Sequence, residues 1–308
     1  MWRLFNHCGV KSSNVSPKLL LNIFRTWIMP HFETNSEIWI LLVVRKFSLI
    51  PEIENGYGIL FKELSSLYDK CLRAILGLEA KAYKFSPHII LGMLPLHCHL
   101  LIRSLSFYHR IVSGQAGPLI MQQHRNYMNQ PWEHSLFFGG CISLLEDIQN
   151  SIGCNILCIN NSGQFKRVLK DGIFKDLDVE WKKSGKASFL QNFIQQWGTP
   201  NPSINVANNR QQSILFSKYI SGTLATQQRL YKLKLSNTDI CSTCKRQETQ
   251  QHLLFHCNRY NTQRKQLYKS IQATTSTNPN HIFNIKQNIS PLQLYLLRTI
   301  GRTKHKHS

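Results

Sequence analysis

Four side chains with metal-ligating chemistry lie close together in the C-terminal part of the chain. Cys241, Cys244, His252 and Cys257 follow the spacing C-x2-C-x7-H-x4-C. Two thiols separated by two residues fit a tight turn that directs both sulfurs at one ion, and the imidazole and third thiol complete a tetrahedral N/S set. Such a set is typical of structural zinc, which keeps no position open for a substrate water. The spacing therefore predicts a zinc-stabilised module that performs no chemistry of its own.

The sequence leaves the fourth ligand open. His252 and Cys257 are five residues apart, which turns them by about 140° on an ideal α-helix, whereas His256 shares a face with His252. Either the helix ends near His256 and the chain bends to bring Cys257 in, or His256 is the ligand. We favour Cys257, because thiolate is the stronger zinc ligand, and keep His256 as the alternative.

Positive charge is concentrated in the same half of the chain. The 308 residues include 37 Lys and Arg and 16 Asp and Glu. Residues 181–308 hold 19 of these cations but only two acids, Asp239 and Glu248. A field of one sign over such a length favours a polyanion, and nucleic-acid phosphates fit best. Because the charge and the metal motif lie in the same half, we favour RNA or DNA as the partner. The alternative is a generically basic composition that reflects no particular partner.

Basic residues around the motif are the candidate phosphate contacts. They alternate with aromatic side chains, which stack on unpaired bases when they are exposed, although for Phe255 we favour a place in the core. The candidate contacts are Arg229, Lys232, Lys234, Lys245, Arg246, Arg259, Arg264 and Lys265.

Composition limits the class of protein. The nine cysteines are scattered and odd in number, which indicates a reducing compartment, nuclear or cytoplasmic, rather than a secreted disulfide framework. We expect no signal peptide and no membrane association, because the apolar run 38–44 is far too short to span a bilayer. The sequence has no phosphate-loop pattern and no nucleophile-elbow serine, so we expect no small-molecule substrate.

Hydrophobic periodicity predicts a mainly α fold with several parts. Residues 1–113 are expected to form an N-terminal helical bundle. Its helices run from the Ser16 cap to Pro30, over 59–76, over 86–92 and from 96 to about 114, with a short β-like run after Trp39. Residues 114–206 form a helical connector that ends in a Gly/Pro linker. Residues 207–271 form the small zinc-binding module, and residues 272–308 form a polar spacer, a short helix and a basic tail.

Three separated stretches carry a family resemblance. They are residues 15–26 with Ser36-Glu-Ile-Trp39, residues 71–78 with 91–96, and residues 229–233 with the Cys/His motif as far as Tyr260. In this order they are similar to the segment after the palm, the thumb and the C-terminal zinc-binding region of the reverse transcriptases of non-LTR retrotransposons. The chain departs from that family at Thr34-Asn35, where Tyr-Gly is common. Its seven-residue Cys-to-His spacing also differs from the four residues of retroviral knuckles.

The resemblance implies the C-terminal part of such a reverse transcriptase. The family polymerises DNA with an aspartate pair that holds two Mg²⁺ ions, and this sequence has no Asp-Asp dipeptide. We therefore expect nucleic-acid binding without polymerase activity, with a separate polymerase chain as a further candidate partner. The alternative function is a non-catalytic protein-interaction scaffold or an inert relic of a decayed mobile element.

Overall fold

The computed structural model of the chain is mainly helical, as predicted. It describes residues 15–43, 58–128, 136–152, 158–183 and 210–272, with residues 190, 194, 196–198, 200 and 201 between them. The α-helices are α1 (Pro17–Ile23), α2 (Met29–Glu33), α3 (Ser36–Trp39), α4 (Gly58–Leu76), α5 (Ser86–Leu91), α6 (Leu96–Val112), α7 (Pro118–Met128), α8 (Leu136–Ile152), α9 (Ser162–Lys183), α10 (Arg210–Ile220), α11 (Gln227–Lys232) and α12 (Asn261–Gln272).

None of the helices in the described residues combines the length and the apolar character needed to cross a bilayer. The spacer, helix and basic tail predicted after residue 272 lie outside the described part of the chain.

The first helix begins as the sequence predicts. The Ser16 hydroxyl accepts a hydrogen bond from the Leu19 amide at 3.2 Å, and Pro17 occupies the first turn, where its missing N–H leaves no acceptor unpaired. Leu20 and Phe24 are fully buried along its inner face. This start of the helical bundle is therefore specified by local chemistry.

A π-helical turn over Phe24–Ile28 joins α1 to α2. Pro30, in the first turn of α2, has no amide to donate to the Thr26 carbonyl, and the wider π turn, closed by Met29 N–H to Phe24 O, accommodates this gap. Hydrophobic periodicity predicts that Trp27 lies on one apolar stripe with Leu20 and Phe24, but this is wrong, because Trp27 is 65% exposed. The π turn changes the 3.6-residue period on which that prediction depended.

The short apolar run after residue 37 is helical, not β-like. Helix α3 continues into a 3-10 turn over Ile40–Leu42, and both Ile40 and Leu41 are buried. Periodicity does not separate a strand from a helix in so short a run, because both are surrounded by apolar neighbours. Here the helical form packs against α6 and α8.

Tyr68 of α4 lies at the centre of the N-terminal core. Its ring is 5.5 Å from the rings of both Phe24 and Phe32, and its hydroxyl donates to the Leu94 carbonyl at 3.0 Å. Helix α4 ends at Gly77, as predicted, with φ of +63°. Glycine is required there twice over, since an added Cβ would lie 2.5 Å from the Ile214 side chain.

The end of the connector, from Trp197 to Asn201 in the predicted Gly/Pro linker, packs against the bundle at its described positions. Trp197 is 1% exposed. Its amide donates to Asp178 Oδ1 and its indole to the Met93 carbonyl, both at 3.0 Å. The Asn201 amide donates to the Ile90 carbonyl at 2.9 Å. These bonds hold the end of the connector on α5 and on the residues that follow it.

Long-range polar contacts attach the C-terminal module to the end of α4. The buried Arg210 guanidinium donates to the carbonyls of Ala74 at 2.7 Å and Ile75 at 3.3 Å. These carbonyls belong to the last turn of α4, where a cation is also favoured by the helix dipole. Glu79, just beyond the helix, pairs with Lys218 of α10 and Arg229 of α11. The module is thereby positioned relative to the bundle.

Candidate metal centre

A tight hairpin turn carries the first two thiols. Ile240 and Gln247 form an antiparallel bridge, and the Cys241 amide donates to the Arg246 carbonyl at 2.7 Å. Lys245 N–H closes the turn on Cys241 O at 2.9 Å, with Lys245 in the left-handed region at φ of +55°. The two-residue spacing thus forms the tight turn that the sequence predicts.

A π-helical turn over His252–His256 places the His252 imidazole and the Cys257 thiol on the same side of the chain. The Cys257 amide donates to the His252 carbonyl at 2.7 Å, which is the i to i+5 hydrogen bond of a π turn. This bond places Cys257 above His252. In an ideal α-helix His256 would occupy that position. Cys257 therefore belongs to the cluster, and His256 is exposed outside it.

The four predicted ligands converge. Cys257 Sγ lies 3.7 Å from Cys241 Sγ and 3.9 Å from Cys244 Sγ, and the ligand atoms of all four residues lie within 4.8 Å of one another. His252 Nε2 is buried and has no hydrogen-bond partner among the described residues. A buried polar atom without a partner requires an explanation. A metal ion shared with the three nearby sulfurs would be that partner. The cluster has the donor set and the spacing to hold a metal ion.

Burial and hydrogen bonding shift the pKa values of three of the ligands. The Asn258 amide donates to Cys244 Sγ at 3.3 Å and lowers the pKa of that thiol. Burial raises the pKa of Cys257 to about 12 and lowers the pKa of His252, which leaves the imidazole neutral at pH 7 with a lone pair to donate. Metal uptake must then displace protons from the thiols, so binding weakens as pH falls.

Six of the eight predicted phosphate contacts are exposed. Five of these six side chains make no hydrogen bond or ion pair with any described residue. These five are Lys232, Lys234, Lys245, Arg246 and Lys265.

The other three predicted contacts are engaged within the protein. Arg229 is half-buried against Glu79, and Arg264 is 6% exposed with its guanidinium directed at the carbonyls of Leu254 and Cys257. Arg264 is consequently not available to a phosphate. Arg259 is exposed but donates to Ser242 Oγ at 2.6 Å, which fastens it over the turn between the two hairpin thiols.

Two residues that the sequence analysis missed support the ligands. Thr249 Oγ1 accepts from the His252 amide at 3.0 Å, and the Asn258 amide donates to a ligand sulfur as described. A threonine three residues before His252 is a recognisable capping pattern, so Thr249 was detectable. The Asn258 contact was not detectable, because the donor is a backbone amide that every residue except proline carries.

Comparison with known proteins gives no match: no family model, no curated protein and no solved structure is similar to the chain. Any function proposed for it therefore rests on its own residues and geometry.

Proposed function

We propose that the metal is zinc and that its role is structural. Zinc–sulfur bonds of about 2.3 Å in a tetrahedron place two sulfurs about 3.8 Å apart. The distances of 3.7 and 3.9 Å support that geometry. Three thiols and one imidazole fill the tetrahedron, so no position is left for a substrate water. When bound, zinc supplies a cross-link between the hairpin turn and the π turn, in a segment with few buried apolar side chains.

We infer that this module binds nucleic acid, and one observation carries the inference. The five exposed cations pair with none of the residues that the structure describes, whereas both acids of the module accept hydrogen bonds. Asp239 Oδ2 accepts from the Gln247 amide group at 2.7 Å, and Glu248 Oε1 accepts from the Gln227 backbone amide at 3.0 Å. The outward field of the module is therefore positive and favours a phosphate backbone.

We further propose that the chain is a nucleic-acid-binding, non-polymerising C-terminal part of a non-LTR retrotransposon reverse transcriptase. The three resembling stretches described above support this origin. A mainly helical fold with a Cys/His metal centre after it is compatible with the proposal.

Binding should weaken steeply with salt. Purified zinc-loaded chain is titrated against 30-nucleotide RNA and DNA between 50 and 200 mM salt. If all five exposed cations release counterions, the slope of log K against log salt is roughly −3.5 to −4.5, and affinity falls by about 100- to 500-fold. Absence of binding at 50 mM salt would contradict the proposal and favour the interaction scaffold. Primer extension by the same preparation would contradict a purely binding role.

Two of the exposed lysines occupy backbone positions that suit glycine. Lys234 and Lys245 have φ of +58° and +55°, a region that costs a non-glycine residue roughly 1–2 kcal/mol. Replacing both by glycine should raise the free energy of unfolding by about 1 kcal/mol while lowering nucleic-acid affinity and making the salt slope shallower by about 1.4 to 1.8. A gain in stability together with a loss of affinity would show that the lysine side chains contribute to binding at a cost in backbone strain.

The matched control for this pair is Lys232→Ala. It removes an exposed cation from the end of α11 without relieving a left-handed backbone. Binding should weaken, with stability unchanged within about 0.5 kcal/mol. A double glycine variant that binds like the wild type would exclude Lys234 and Lys245 as phosphate contacts. Both quantities are measured on the same preparations, by chemical denaturation and by fluorescence anisotropy.

A further inference from the structure

An exposed apolar segment lies beside the metal centre. Tyr231, at the end of α11, is 52% exposed, and Leu235 and Ile240, which follow that helix, are 71% and 45% exposed. The other aromatic rings of the module whose burial the structure describes are covered, since Phe216, Tyr219 and Tyr260 are buried and Phe255 packs partly buried against the core. Tyr231 has no ring-stacking or cation–π contact with another described residue. The Tyr231 ring is therefore open to stacking by a ligand.

Exposed cations follow Tyr231 closely along the chain. Lys232 is the next residue, and the left-handed turn at Lys234 is held by Lys234 N–H donating to Tyr231 O at 2.9 Å. Within α11, Tyr231 and Lys232 are exposed, whereas the four residues before them are half-buried. On the hairpin, exposed Ile240 pairs with Gln247, which directly follows exposed Arg246.

We propose that the ligand of this surface is a single-stranded nucleic acid, with Tyr231 stacking on an unpaired base and Lys234 neutralising a neighbouring phosphate. The inference rests on the nucleic-acid function proposed above and adds the class of strand. A duplex presents its backbone and groove edges but hides the faces of its bases, so an exposed tyrosine ring cannot stack on them. The positive field around the ring favours a polyanion over an ordinary protein surface.

The test compares strands and one side chain. Fluorescence anisotropy is measured with a labelled 20-nucleotide oligothymidylate and with a 20-base-pair duplex, at one salt concentration. The wild-type chain should bind the single strand more tightly. Tyr231→Ala should weaken single-strand binding by about 5- to 150-fold, the effect of losing one stacked base, and leave duplex binding unchanged. Tyr231→Phe keeps the ring and should bind like the wild type.

Trp27→Ala is the control for loss of an exposed aromatic ring. Trp27 is 65% exposed and lies on the π turn of the N-terminal bundle, so its removal should leave both affinities unchanged. Equal single-strand affinities for the wild type and Tyr231→Ala, or tighter binding of the duplex, would overturn the single-strand inference and leave the proposed function standing. Failure to bind either probe would overturn both.

Discussion

Cys257→Ala is expected to abolish stoichiometric zinc binding and to unfold the C-terminal module, whereas His256→Ala should leave one zinc ion per chain. Structural zinc contributes about 10–16 kcal/mol of binding free energy, which in small modules is folding free energy. Losing a ligand should reduce zinc affinity by more than the 10- to 100-fold typical of outer-shell changes. Zinc is counted by atomic absorption after dialysis, and helix content by circular dichroism.

His256 is a matched control, because it neighbours Cys257 and has ligand chemistry but lies exposed outside the cluster. Chelation of wild-type zinc should reproduce the Cys257→Ala result. The N-terminal bundle should keep its helical signal in both cases, since the rings that pack around Tyr68 are those of Phe24, Phe32 and His88 of the bundle itself. Full zinc occupancy in Cys257→Ala, or its loss in His256→Ala, would reverse the ligand assignment.

Zinc binding and the positive surface depend on the same turn. Lys245 and Arg246 directly follow the second hairpin thiol, and Arg259 is fastened over that turn by Ser242. Removal of the metal frees the hairpin from the π turn, so these cations lose their fixed positions. Zinc removal should therefore weaken nucleic-acid binding even though no charge on a basic side chain changes.

Local signals made part of this fold predictable from sequence. Ser16 and Pro17 start α1, and glycines at positions 77 and 92 end α4 and α5 with positive φ, as their types and places predict. These features succeed because the chemistry of a cap is contained within a few residues. The four ligands were identified for the same reason, since their spacing is itself the geometry of a tight metal site.

The two π turns account for the main uncertainty. The first exposes Trp27, which a 3.6-residue period places on the buried face, and the second brings Cys257 rather than His256 over His252. An i to i+5 hydrogen bond leaves no mark on hydrophobic periodicity, because it forms where tertiary contacts favour it. Proline at position 30 signals the first turn, but no comparable residue signals the second.

Arginines show a different limit. Arg229 and Arg264 look like the exposed lysines in sequence, yet one pairs with Glu79 and the other caps buried carbonyls. Glu79 is 150 residues from Arg229, so only the folded chain brings them together. The local sequence gives the charge of a residue, but it does not identify the distant acceptors that the residue contacts in the folded chain.

Asp69→Ala should destabilise the N-terminal bundle by about 1–3 kcal/mol, the cost of leaving a buried polar group without its hydrogen-bond partner. The side chains of His88 and Asp69 are 1% and 6% exposed, and His88 Nε2 lies 2.8 Å from Asp69 Oδ1. The other ring nitrogen, Nδ1, lies 3.3 Å from the Leu94 carbonyl. Loss of the carboxylate leaves the buried His88 Nε2 without this partner.

Chemical denaturation followed by circular dichroism measures the effect. Asp171→Ala is the matched control, because Asp171 pairs with Arg167 at 3.9 Å with side chains 72% and 84% exposed, and its loss should change stability by less than about 1 kcal/mol. Replacing both Asp69 and His88 by leucine should recover much of the loss, since the Leu94 carbonyl keeps its bond from Tyr68. If Asp69→Ala costs no more than the control, the His88–Asp69 contact does not stabilise the bundle.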